Sequence, residues 1–565
     1  MNVHDAILKF DLERSRAELV SLLAKAAPAR RTCSAQIVML FSFSEDISGL
    51  TIAEHLANNL RSETGEPVLL VRLTGCPAKG SSLDREMVRA TVNGESYFSP
   101  RPERSPTGME MLSVEVACRP HDPGWIPSLT NKLGCHFSYV LVWAGREIPT
   151  STICECINQS MSTYLFFKQN PDDWRRMGQF LSEVRLQCPS GCRSIKPILC
   201  LEENERADGL DDLTKLIGRP PHAFVHGGQS GSASQPGRQP GNRHFCADIR
   251  RLSREVGGCR VGLALSSGGA KGLAHIGVIQ VLEENGIDVD IIAGSSMGAY
   301  VGAVWAYGYD GLAMEKMARE VEGRWGGWRL IDPAFPPRHG FIHGLAGRRR
   351  LMRSIGNAQF SDLVRPLRIV ATNLDTLERV VFASGEVAAA VHASSAIPGI
   401  CVPVTIDGET YIDGGISDPL PVDVLREMGV ERIIAVNTIP TPAFLRCCRE
   451  MEREQAMLRG KRPGLSRMLN EHLNYFARGN ILDIMHRSVT GAQIRVAEEA
   501  CQHADVVLRP LAIDAHWHEF SNPAKYIAIG RRVAEERLDE IKSLLKRKNS
   551  FYENQPAHEA MARAA

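Results

Sequence analysis

One continuous stretch, residues 260–308, constrains the fold most strongly. It reads RVGLALSSGGAKGLAHIGVIQVLEENGIDVDIIAGSSMGAYVGAVWAYG, in which two short apolar runs each end in a glycine-containing turn and continue into a longer apolar segment. The pattern predicts a strand at 260–265, a helix ending near residue 284, a strand at 288–293 and a second helix. Because strands joined through a helix lie parallel with a right-handed crossover, the stretch predicts an α/β fold with a mainly parallel sheet.

Similar apolar runs elsewhere in the chain extend this prediction to two α/β domains. In the C-terminal half they lie at residues 367–374, 379–384, 401–406 and 432–438. In the N-terminal part they lie at residues 35–41, 67–73, 139–144, 162–168 and 195–201, with amphipathic segments between several of them. This alternation predicts that the N-terminal part is a doubly wound, Rossmann-like domain.

The loop after the first predicted strand bears on whether this domain binds a nucleotide. A phosphate-binding loop carries glycines and a lysine at this position. Here the loop reads SFSEDISGLT, with Glu45 and Asp46 and no lysine. Because two carboxylates would repel a phosphate, we expect no nucleotide site and interpret the domain as structural or regulatory.

A linker separates the two domains. Residues 227–242, GGQSGSASQPGRQPGN, have almost no apolar side chains, which is typical of a flexible connection. The predicted organisation is a Rossmann-like domain at 1–226, a flexible linker at 227–245, a second α/β domain at 255–440, and a helical extension with at least one added strand at 441–565.

Composition and the N-terminus limit the class of protein. The net charge of +1 over 565 residues argues against nucleic acid as a partner. The N-terminus, MNVHDAILKFDLERSRAELV, has acids where a signal peptide has an apolar core, and no apolar run approaches the roughly 18 residues that a membrane span needs. We therefore expect a cytoplasmic protein without signal peptide or transmembrane helix, at most peripheral on the inner face of the cell membrane.

The 15 cysteines do not predict a disulfide framework, because their number is odd and the chain is long. Two spacings suggest metal binding: Cys154 with Cys156, and Cys188 with Cys192 and Cys200 beyond. Zinc sites usually have a second matching pair, which is absent here, so we expect no metal and interpret these residues as buried or free thiols.

Ser296 lies between Gly294 and Gly298 at the end of the second predicted strand. A serine on a strand-to-helix elbow has a strained backbone that exposes its hydroxyl, and the residues two before and two after it must be small. The helix that follows would also direct its positive N-terminal end at the hydroxyl. The spacing thus favours a nucleophile, although an ordinary turn has the same residues.

The turn SSGGAKG, residues 266–272, precedes the first helix. Its Gly268 and Gly269 can direct backbone N–H groups at an anion, as an oxyanion hole requires. A dinucleotide-binding turn would need a glycine in place of Ser267 and an acid at the C-terminal end of the next strand. Asp288 and Asp290 lie at the opposite end of that strand, so the dinucleotide interpretation is disfavoured.

A serine nucleophile needs a base. Asp413 ends a short predicted strand and is followed by Gly414 and Gly415, which permit a sharp turn, although an ordinary Asp-Gly hairpin would look the same. Asp375 is another strand-end acid, but no glycine pair follows it. The histidines that could complete an α/β-hydrolase triad are His472, His486, His516 and His518. None has a recognisable catalytic setting, so a Ser–Asp dyad fits better.

In this order and spacing, the motifs resemble the patatin-like phospholipase family, most closely the bacterial branch similar to the catalytic domain of neuropathy target esterase. The matching blocks are LSSGGAKGLAHIGV, AGSSMGA, ASSAIPGICVPV and YIDGGISDPLP, and the resemblance covers about residues 255–440. It implies a three-layer α/β/α domain that cleaves phospholipid or lysophospholipid esters through an acyl-enzyme, without a metal or organic cofactor. A catalytically weak regulatory or scaffold protein and a lipid acyltransferase remain alternatives.

The resemblance also assigns roles to residues. Ser296 is the implied nucleophile and Asp413 its proton acceptor. The implied oxyanion hole is the loop with Gly268, Gly269 and Lys271, and Gly272 is the last glycine of that motif.

Two residues depart from the family pattern. Ser267 replaces the first glycine of the glycine-rich block, and Asp418 replaces an asparagine five residues after the catalytic acid. If Asp418 points inward, its carboxylate is expected to raise the pKa of Asp413 by like-charge repulsion, and we favour that orientation.

Residues 323–355 combine aromatic and cationic side chains. The aromatic residues are Trp325, Trp328, Phe335 and Phe341, and the arginines are Arg348, Arg349, Arg350 and Arg353. Exposed aromatics beside a cationic cluster suit an anionic membrane surface, whereas a packed loop followed by a solvated helix face accounts for them equally well.

Overall fold

The computed structural model describes residues 35–44, 49–75, 90–92, 96–98, 103–104, 110–116, 137–202, 205–207, 209–227, 242–323, 332–459, 480–512 and 519–546. The chain divides into two compact units, one of Met1–Cys259 with Lys548–Ala565 and the other of Arg260–Arg547.

The first unit contains a large, mainly parallel sheet. Its strands are β1 (Gln36–Ser42), β2 (Val68–Gly75), β3 (Ala90–Val92), β4 (Ser96–Phe98), β5 (Glu103–Arg104), β6 (Glu110–Val116), β7 (Tyr139–Ala144), β8 (Ser162–Lys168), β9 (Ile195–Leu201) and β10 (Ala223–His226). Their order is β10-β9-β8-β1-β7-β2-β6-β4-β3, with β5 paired to β6. The strands from β10 to β6 are parallel, and the short strands β3, β4 and β5 are antiparallel additions.

Helices cover both faces of this sheet. They are α1 (Gly49–Thr64), α2 (Thr150–Gln159), α3 (Pro171–Gln187), α4 (Leu210–Ile217) and α5 (Asn242–Val256). One apolar cluster joins Phe41 of β1 to Phe180 of α3, and the other joins Leu40 of β1 to Leu56 of α1. Successive residues of β1 thus face opposite cores, as expected for a strand buried on both sides, and the Rossmann-like prediction is confirmed.

The end of the first unit differs from the predicted domain limits. Most of the predicted linker, residues 228–241, lies outside the described residues. Residues 242–245, which the predicted limits placed in the linker, begin α5. The second unit begins at Arg260 rather than at residue 255. The loop residues Glu45 and Asp46 also lie outside the described residues.

The second unit contains a second mainly parallel sheet. Its strands are β11 (Val261–Leu265), β12 (Ile291–Ser295), β13 (Leu367–Asn373), β14 (Arg379–Phe382), β15 (Val404–Ile406), β16 (Glu409–Asp413), β17 (Arg432–Val436) and β18 (Val506–Leu508). Their order is β15-β16-β13-β12-β11-β17-β18, with β14 also paired to β13. The strands from β13 to β18 in this order are parallel, whereas β14 and β16 run antiparallel to β13 and β15 runs antiparallel to β16.

Helices again lie on both faces of the sheet. They are α6 (Ala274–Glu284), α7 (Met297–Tyr307), α8 (Gly311–Arg319), α9 (Leu345–Ile355), α10 (Val387–Ser394), α11 (Val422–Glu427), α12 (Pro442–Arg459), α13 (Ile481–Gln502), α14 (Pro523–Glu536) and α15 (Leu538–Lys546). One core includes residues of α6, α7 and α14, and the opposite core includes residues of α11 and α13. The unit is therefore a three-layer α/β/α domain, as the resemblance implied.

Candidate active site

Ser296 occupies a strained elbow between β12 and α7. Its φ of 53° and ψ of −117° lie in a region that residues with a side chain rarely adopt. A β-carbon on Gly294 would lie 2.6 Å from the Gly298 carbonyl oxygen, and one on Gly298 would lie 2.2 Å from the Leu265 carbonyl oxygen. Both glycines are therefore required by close backbone approach, which is the physical reason for the spacing seen in the sequence.

Asp413 lies directly against the Ser296 hydroxyl. Ser296 Oγ donates a hydrogen bond of 2.6 Å to Asp413 Oδ2, and the Gly415 amide donates one of 2.7 Å to Oδ1. Both side chains are buried. Burial raises the pKa of Asp413 to about 6, while the hydrogen bonds from Ser296 and Gly415 act in the opposite direction. The carboxylate is thus ionised at neutral pH and is a better proton acceptor than an exposed aspartate.

The turn after Asp413 depends on the glycine that follows it. A β-carbon on Gly414 would lie 2.1 Å from the Val370 carbonyl oxygen. Asp413, the last residue of β16, pairs with Ala371 of β13, and the preceding residue of β13, Val370, pairs with Ser295 at the end of β12. The last residues of β16 and β12 therefore lie at the same end of the sheet. The antiparallel strand β16 therefore brings its last residue to the nucleophile.

The glycine-rich turn lies at the same end of the strands. Leu265 of β11 pairs with Gly294 of β12, so the two strands end side by side. Gly269 has a φ of 58° and begins a short 3₁₀ turn that leads into α6. A β-carbon on Gly272 would lie 2.5 Å from Met297 Cγ, so the turn packs against the start of α7. Burial lowers the pKa of Lys271 in this turn.

Ser394 was not singled out in the sequence, yet it fixes the elbow. The Ser296 amide donates a 2.8 Å hydrogen bond to Ser394 Oγ, which in turn donates one of 2.6 Å to the Val370 carbonyl oxygen. Ser394 ends α10 and is fully buried. It lies in the block ASSAIPGICVPV, where no local pattern separates it from the serine that follows.

An apolar cavity of about 230 Å³ opens beside the nucleophile. Met297, the residue after Ser296, and Leu273, at the end of the glycine-rich turn, both line it. Other lining residues include Tyr300, Val304, Met314, Met317 and Phe520, and the polar side chains of Arg348, Arg350, His392 and Ser395 also line it. The cavity therefore runs from the elbow along α7 and α8 and can accept an apolar chain.

Residues 263–426 match the family model described as Patatin-like phospholipase. These residues form a patatin-like phospholipase domain. The match includes the elbow, the glycine-rich turn and the turn after Asp413.

Curated relatives share this patatin-like domain. Lysophospholipase nte1 of Aspergillus fumigatus is 36% identical over 194 residues, which cover 34% of this chain and 13% of the relative. Lysophospholipase NTE1 of Pyricularia oryzae is 34% identical over the same length. Among solved structures, VipD from Legionella pneumophila has a TM-score of 0.25 and 16% identity, covering 51% of this chain and 67% of VipD. The chain therefore spans only a small part of the curated relatives it matches.

Asp418 is buried, in keeping with the inward orientation that was favoured, but the expected effect of its carboxylate on the pKa of Asp413 is wrong. Arg379 donates a 3.2 Å hydrogen bond to Asp418 Oδ2, so the carboxylate is paired with a guanidinium. Burial, opposed chiefly by Arg379, raises the pKa of Asp418 to about 6, and Asp413 does not contribute. Conversely, the pKa of Asp413 is set by burial and its own hydrogen bonds. A carboxylate in place of the family's asparagine is accommodated here by an arginine from β14.

Among the other proton acceptors considered in the sequence, only the Asp375 side chain lies in the described part of the chain. His472, His516 and His518 lie outside it, and for His486 only the backbone, which is part of α13, is described. Asp375 is exposed. Asp290, which was weighed only for the dinucleotide interpretation, accepts a 2.7 Å hydrogen bond from the Val261 amide at the far end of the strands.

The cysteines in the two spacings that suggested a metal are buried. Cys154, Cys156, Cys188, Cys192 and Cys200 have free thiols. Among the residues that the structure describes, no group of three or more metal-ligating side chains is found.

Only part of the aromatic and cationic segment is described, because Trp325 and Trp328 are not. Phe335 is 95% exposed and Phe341 is 41% exposed. Arg349 and Arg353 are also exposed, and they lie four residues apart on one face of α9. The two remaining arginines have partners: Arg348 pairs with Glu386, and Arg350 bonds to Glu320 and the Met317 carbonyl oxygen. No helix in the described ranges is both long and apolar enough to span a bilayer.

Proposed function

We propose that the patatin-like domain hydrolyses acyl esters of phospholipids or lysophospholipids through a Ser296–Asp413 dyad. The observation that carries the proposal is the 2.6 Å hydrogen bond from Ser296 Oγ to a buried Asp413 carboxylate, on an elbow whose backbone is strained. Strain of this kind persists only where the surrounding structure enforces it, and it is concentrated at functional sites.

The reaction proceeds in two steps. Asp413 accepts the Ser296 proton as the serine oxygen attacks the ester carbonyl, and the proton is then delivered to the leaving alcohol. Backbone amides of Gly268 and Gly269, in the loop that includes Lys271, stabilise the oxyanion together with the N-terminal end of α7. Water then attacks the acyl-enzyme, Asp413 accepts the proton of the water, and Ser296 recovers it as the acid leaves. The residues present complete these steps without a metal.

The acyl chain is proposed to occupy the apolar cavity along α7 and α8. Its lining by Met297 and Leu273, which adjoin the nucleophile and the oxyanion turn, supports this assignment. An apolar pocket with few polar groups is the type of site that binds a hydrocarbon chain. The two fungal relatives are named lysophospholipases, which supports a lipid ester as the substrate.

A peripheral contact with an anionic membrane surface belongs to the same proposal. It is supported by the exposed Phe335 and by exposed Arg349 and Arg353. We expect a cytoplasmic protein that binds phosphatidylglycerol vesicles more tightly than phosphatidylcholine vesicles, and replacement of Phe335 by serine should weaken that binding. Equal sedimentation with both vesicles would contradict it. The N-terminal unit is proposed to be structural or regulatory.

The experiment combines active-site labelling with product analysis. The full chain is treated with a fluorophosphonate probe and, separately, with lysophosphatidylcholine and diacyl phospholipid, and the products are identified by mass spectrometry. Ser296→Ala should abolish labelling and release of fatty acid, and Asp413→Asn should lower turnover by at least about a thousandfold. Asp375→Asn is the matched control, because it removes an exposed strand-end carboxylate.

Each alternative predicts a different result. Transfer of the acyl group to an added lysophospholipid in place of water would identify an acyltransferase. A folded parent chain that neither reacts with the probe nor releases fatty acid would indicate a regulatory or scaffold role.

A further inference from the structure

The glycine-rich turn is joined at its start to the end of β17. The Ser266 amide donates a 3.1 Å hydrogen bond to the carbonyl oxygen of Val436, the last residue of β17. Two residues further along, the Thr438 amide donates one of 2.9 Å to Ser266 Oγ. Ser266 and Thr438 are both fully buried. The mechanism above gives neither of these two side chains a role.

Both hydroxyls of this pair donate to one carbonyl oxygen. The Ser267 carbonyl oxygen accepts a 2.9 Å hydrogen bond from Thr438 Oγ1 and one of 3.0 Å from Ser266 Oγ. A β-carbon on Gly268 would lie 2.2 Å from Thr438 Oγ1, so this hydroxyl also packs directly against the α-carbon of Gly268. Because a carbonyl oxygen has two lone pairs, it can accept both bonds, and the two hydroxyls together fix its direction.

The direction of this carbonyl group determines the direction of the Gly268 amide. The two groups belong to the same peptide unit, and the Ser267–Gly268 bond is trans. In a planar trans peptide the N–H points away from the C=O. The Gly268 N–H therefore points away from the two hydroxyls, and it has no hydrogen-bond acceptor among the residues that the structure describes.

This peptide packs closely against the segments that carry the dyad. A β-carbon on Gly298, two residues after the nucleophile, would lie 2.7 Å from the Ser266 carbonyl oxygen. A β-carbon on Gly415 would lie 2.9 Å from Ser267 Oγ and 2.9 Å from Asp413 Oδ1. Neither glycine could carry a side chain, because the turn lies directly against the elbow and against the turn after Asp413.

We propose that Ser266 and Thr438 are positioning residues that direct the Gly268 N–H at the oxyanion. This rests on the proposed function, since it requires an oxyanion to form when Ser296 attacks an ester. An oxyanion hole is effective because its donors are oriented before the reaction and do not reorganise during it. Gly268 has no side chain to restrain its backbone, so the restraint comes from the two hydroxyls behind the peptide. Neither hydroxyl touches the substrate.

The test uses the full chain and compares an inhibitor that forms an oxyanion with one that does not. An alkyl trifluoromethyl ketone reacts with the nucleophile: the serine oxygen adds to the carbonyl carbon, the serine proton passes to Asp413, and the carbonyl oxygen becomes the oxyanion. The corresponding trifluoromethyl alcohol has the same chain and no carbonyl group, so its affinity reports ground-state binding. Hydrolysis of a p-nitrophenyl ester with the same chain length supplies kcat/KM.

Thr438→Val and Ser266→Ala each remove one hydroxyl. Each variant is expected to lower kcat/KM about tenfold and to weaken inhibition by the ketone about tenfold, because the Gly268 N–H is less well aligned. Binding of the alcohol should stay unchanged. Thr438→Ser keeps the hydroxyl and should retain the parent values for the ester and for both inhibitors.

Ser253→Ala is the matched control for Ser266→Ala. Ser253 is also fully buried, and its hydroxyl donates to the carbonyl oxygens of Leu56 and Ile249 within the first unit. Its loss should destabilise the protein in urea unfolding, as the loss of any buried hydrogen bond does. The affinities for the ketone and the alcohol should not change.

The outcomes distinguish this inference from the proposed function. Parent-like kinetics and ketone affinity in Thr438→Val and Ser266→Ala overturn the inference. Equal losses of ketone and alcohol affinity overturn it as well, because the two residues would then support the binding site as a whole. So does a Thr438→Ser variant as impaired as Thr438→Val. Because the two hydroxyls come from separate segments, one folded variant suffices for the test. If the parent chain neither hydrolyses the ester nor binds the ketone more tightly than the alcohol, the proposed function itself fails.

Discussion

Replacing Asp418 by asparagine should stabilise the protein above about pH 6 and leave the pH dependence of catalysis unchanged. The Asp418 carboxylate is buried and pairs with Arg379 at 3.2 Å. An ion pair would lower the pKa of an aspartate, but here burial outweighs the guanidinium and raises the pKa from 3.8 to about 6. The ionised form is therefore less favourable in the folded protein than in the unfolded chain.

The magnitude and its sign follow from that shift. A rise of about two pKa units corresponds to about 3 kcal/mol of free energy of unfolding. Because the folded-state pKa is the higher one, the contribution of Asp418 to stability is fully present below about pH 4 and is lost as the pH rises through about 6. Asparagine carries no charge, so the variant should match the parent near pH 4 and exceed it by about 3 kcal/mol near pH 8.

Urea unfolding of parent and variant between about pH 4 and about pH 8 measures this difference, with Asp375→Asn as the exposed control. The acid limb of kcat/KM should stay near pH 6 in both proteins, because Asp413 titrates independently of Asp418. A stability difference that does not change with pH would refute the burial argument. A shift of the acid limb by about half a unit or more would show that the two carboxylates are coupled.

Two further predictions concern the elbow and the cavity. Ser394→Ala removes the acceptor of the Ser296 amide and one donor to the Val370 carbonyl oxygen. It should therefore lower the free energy of unfolding by about 2 kcal/mol in urea unfolding and lower kcat/KM for ester hydrolysis by at least about tenfold. Wild-type kinetics would contradict the role of this serine. Met317→Trp fills the cavity and should shift preference toward shorter acyl chains in a series of p-nitrophenyl esters, whereas Leu312→Trp, on the exposed side of the same helix, should not. Identical chain-length profiles for the two tryptophan variants would place the acyl chain elsewhere.

The sequence predicted well those features that depend on residues close to one another along the chain. The two α/β sheets followed from short apolar runs alternating with helical periodicity, which is set by neighbours along the chain. The small residues around Ser296 also follow from a local cause, since the elbow brings Gly294 and Gly298 against backbone atoms within a few residues or on the adjacent strand. Segment limits were less well predicted, because the predicted linker extended to residue 245 although residues 242–245 begin a helix.

Contacts between distant segments were decided only by the tertiary structure. Ser296 and Asp413 are separated by 117 positions, and their hydrogen bond depends on how β16 pairs with β13. The same holds for Arg379, whose position on β14 gives Asp418 its partner, and for Thr438, which follows β17 and holds the Ser267 carbonyl group. No local pattern specifies such neighbours, because they are set by strand order and helix packing. The sequence by itself therefore determined which residue types could carry the chemistry, and the packing of the second unit determined which of them meet.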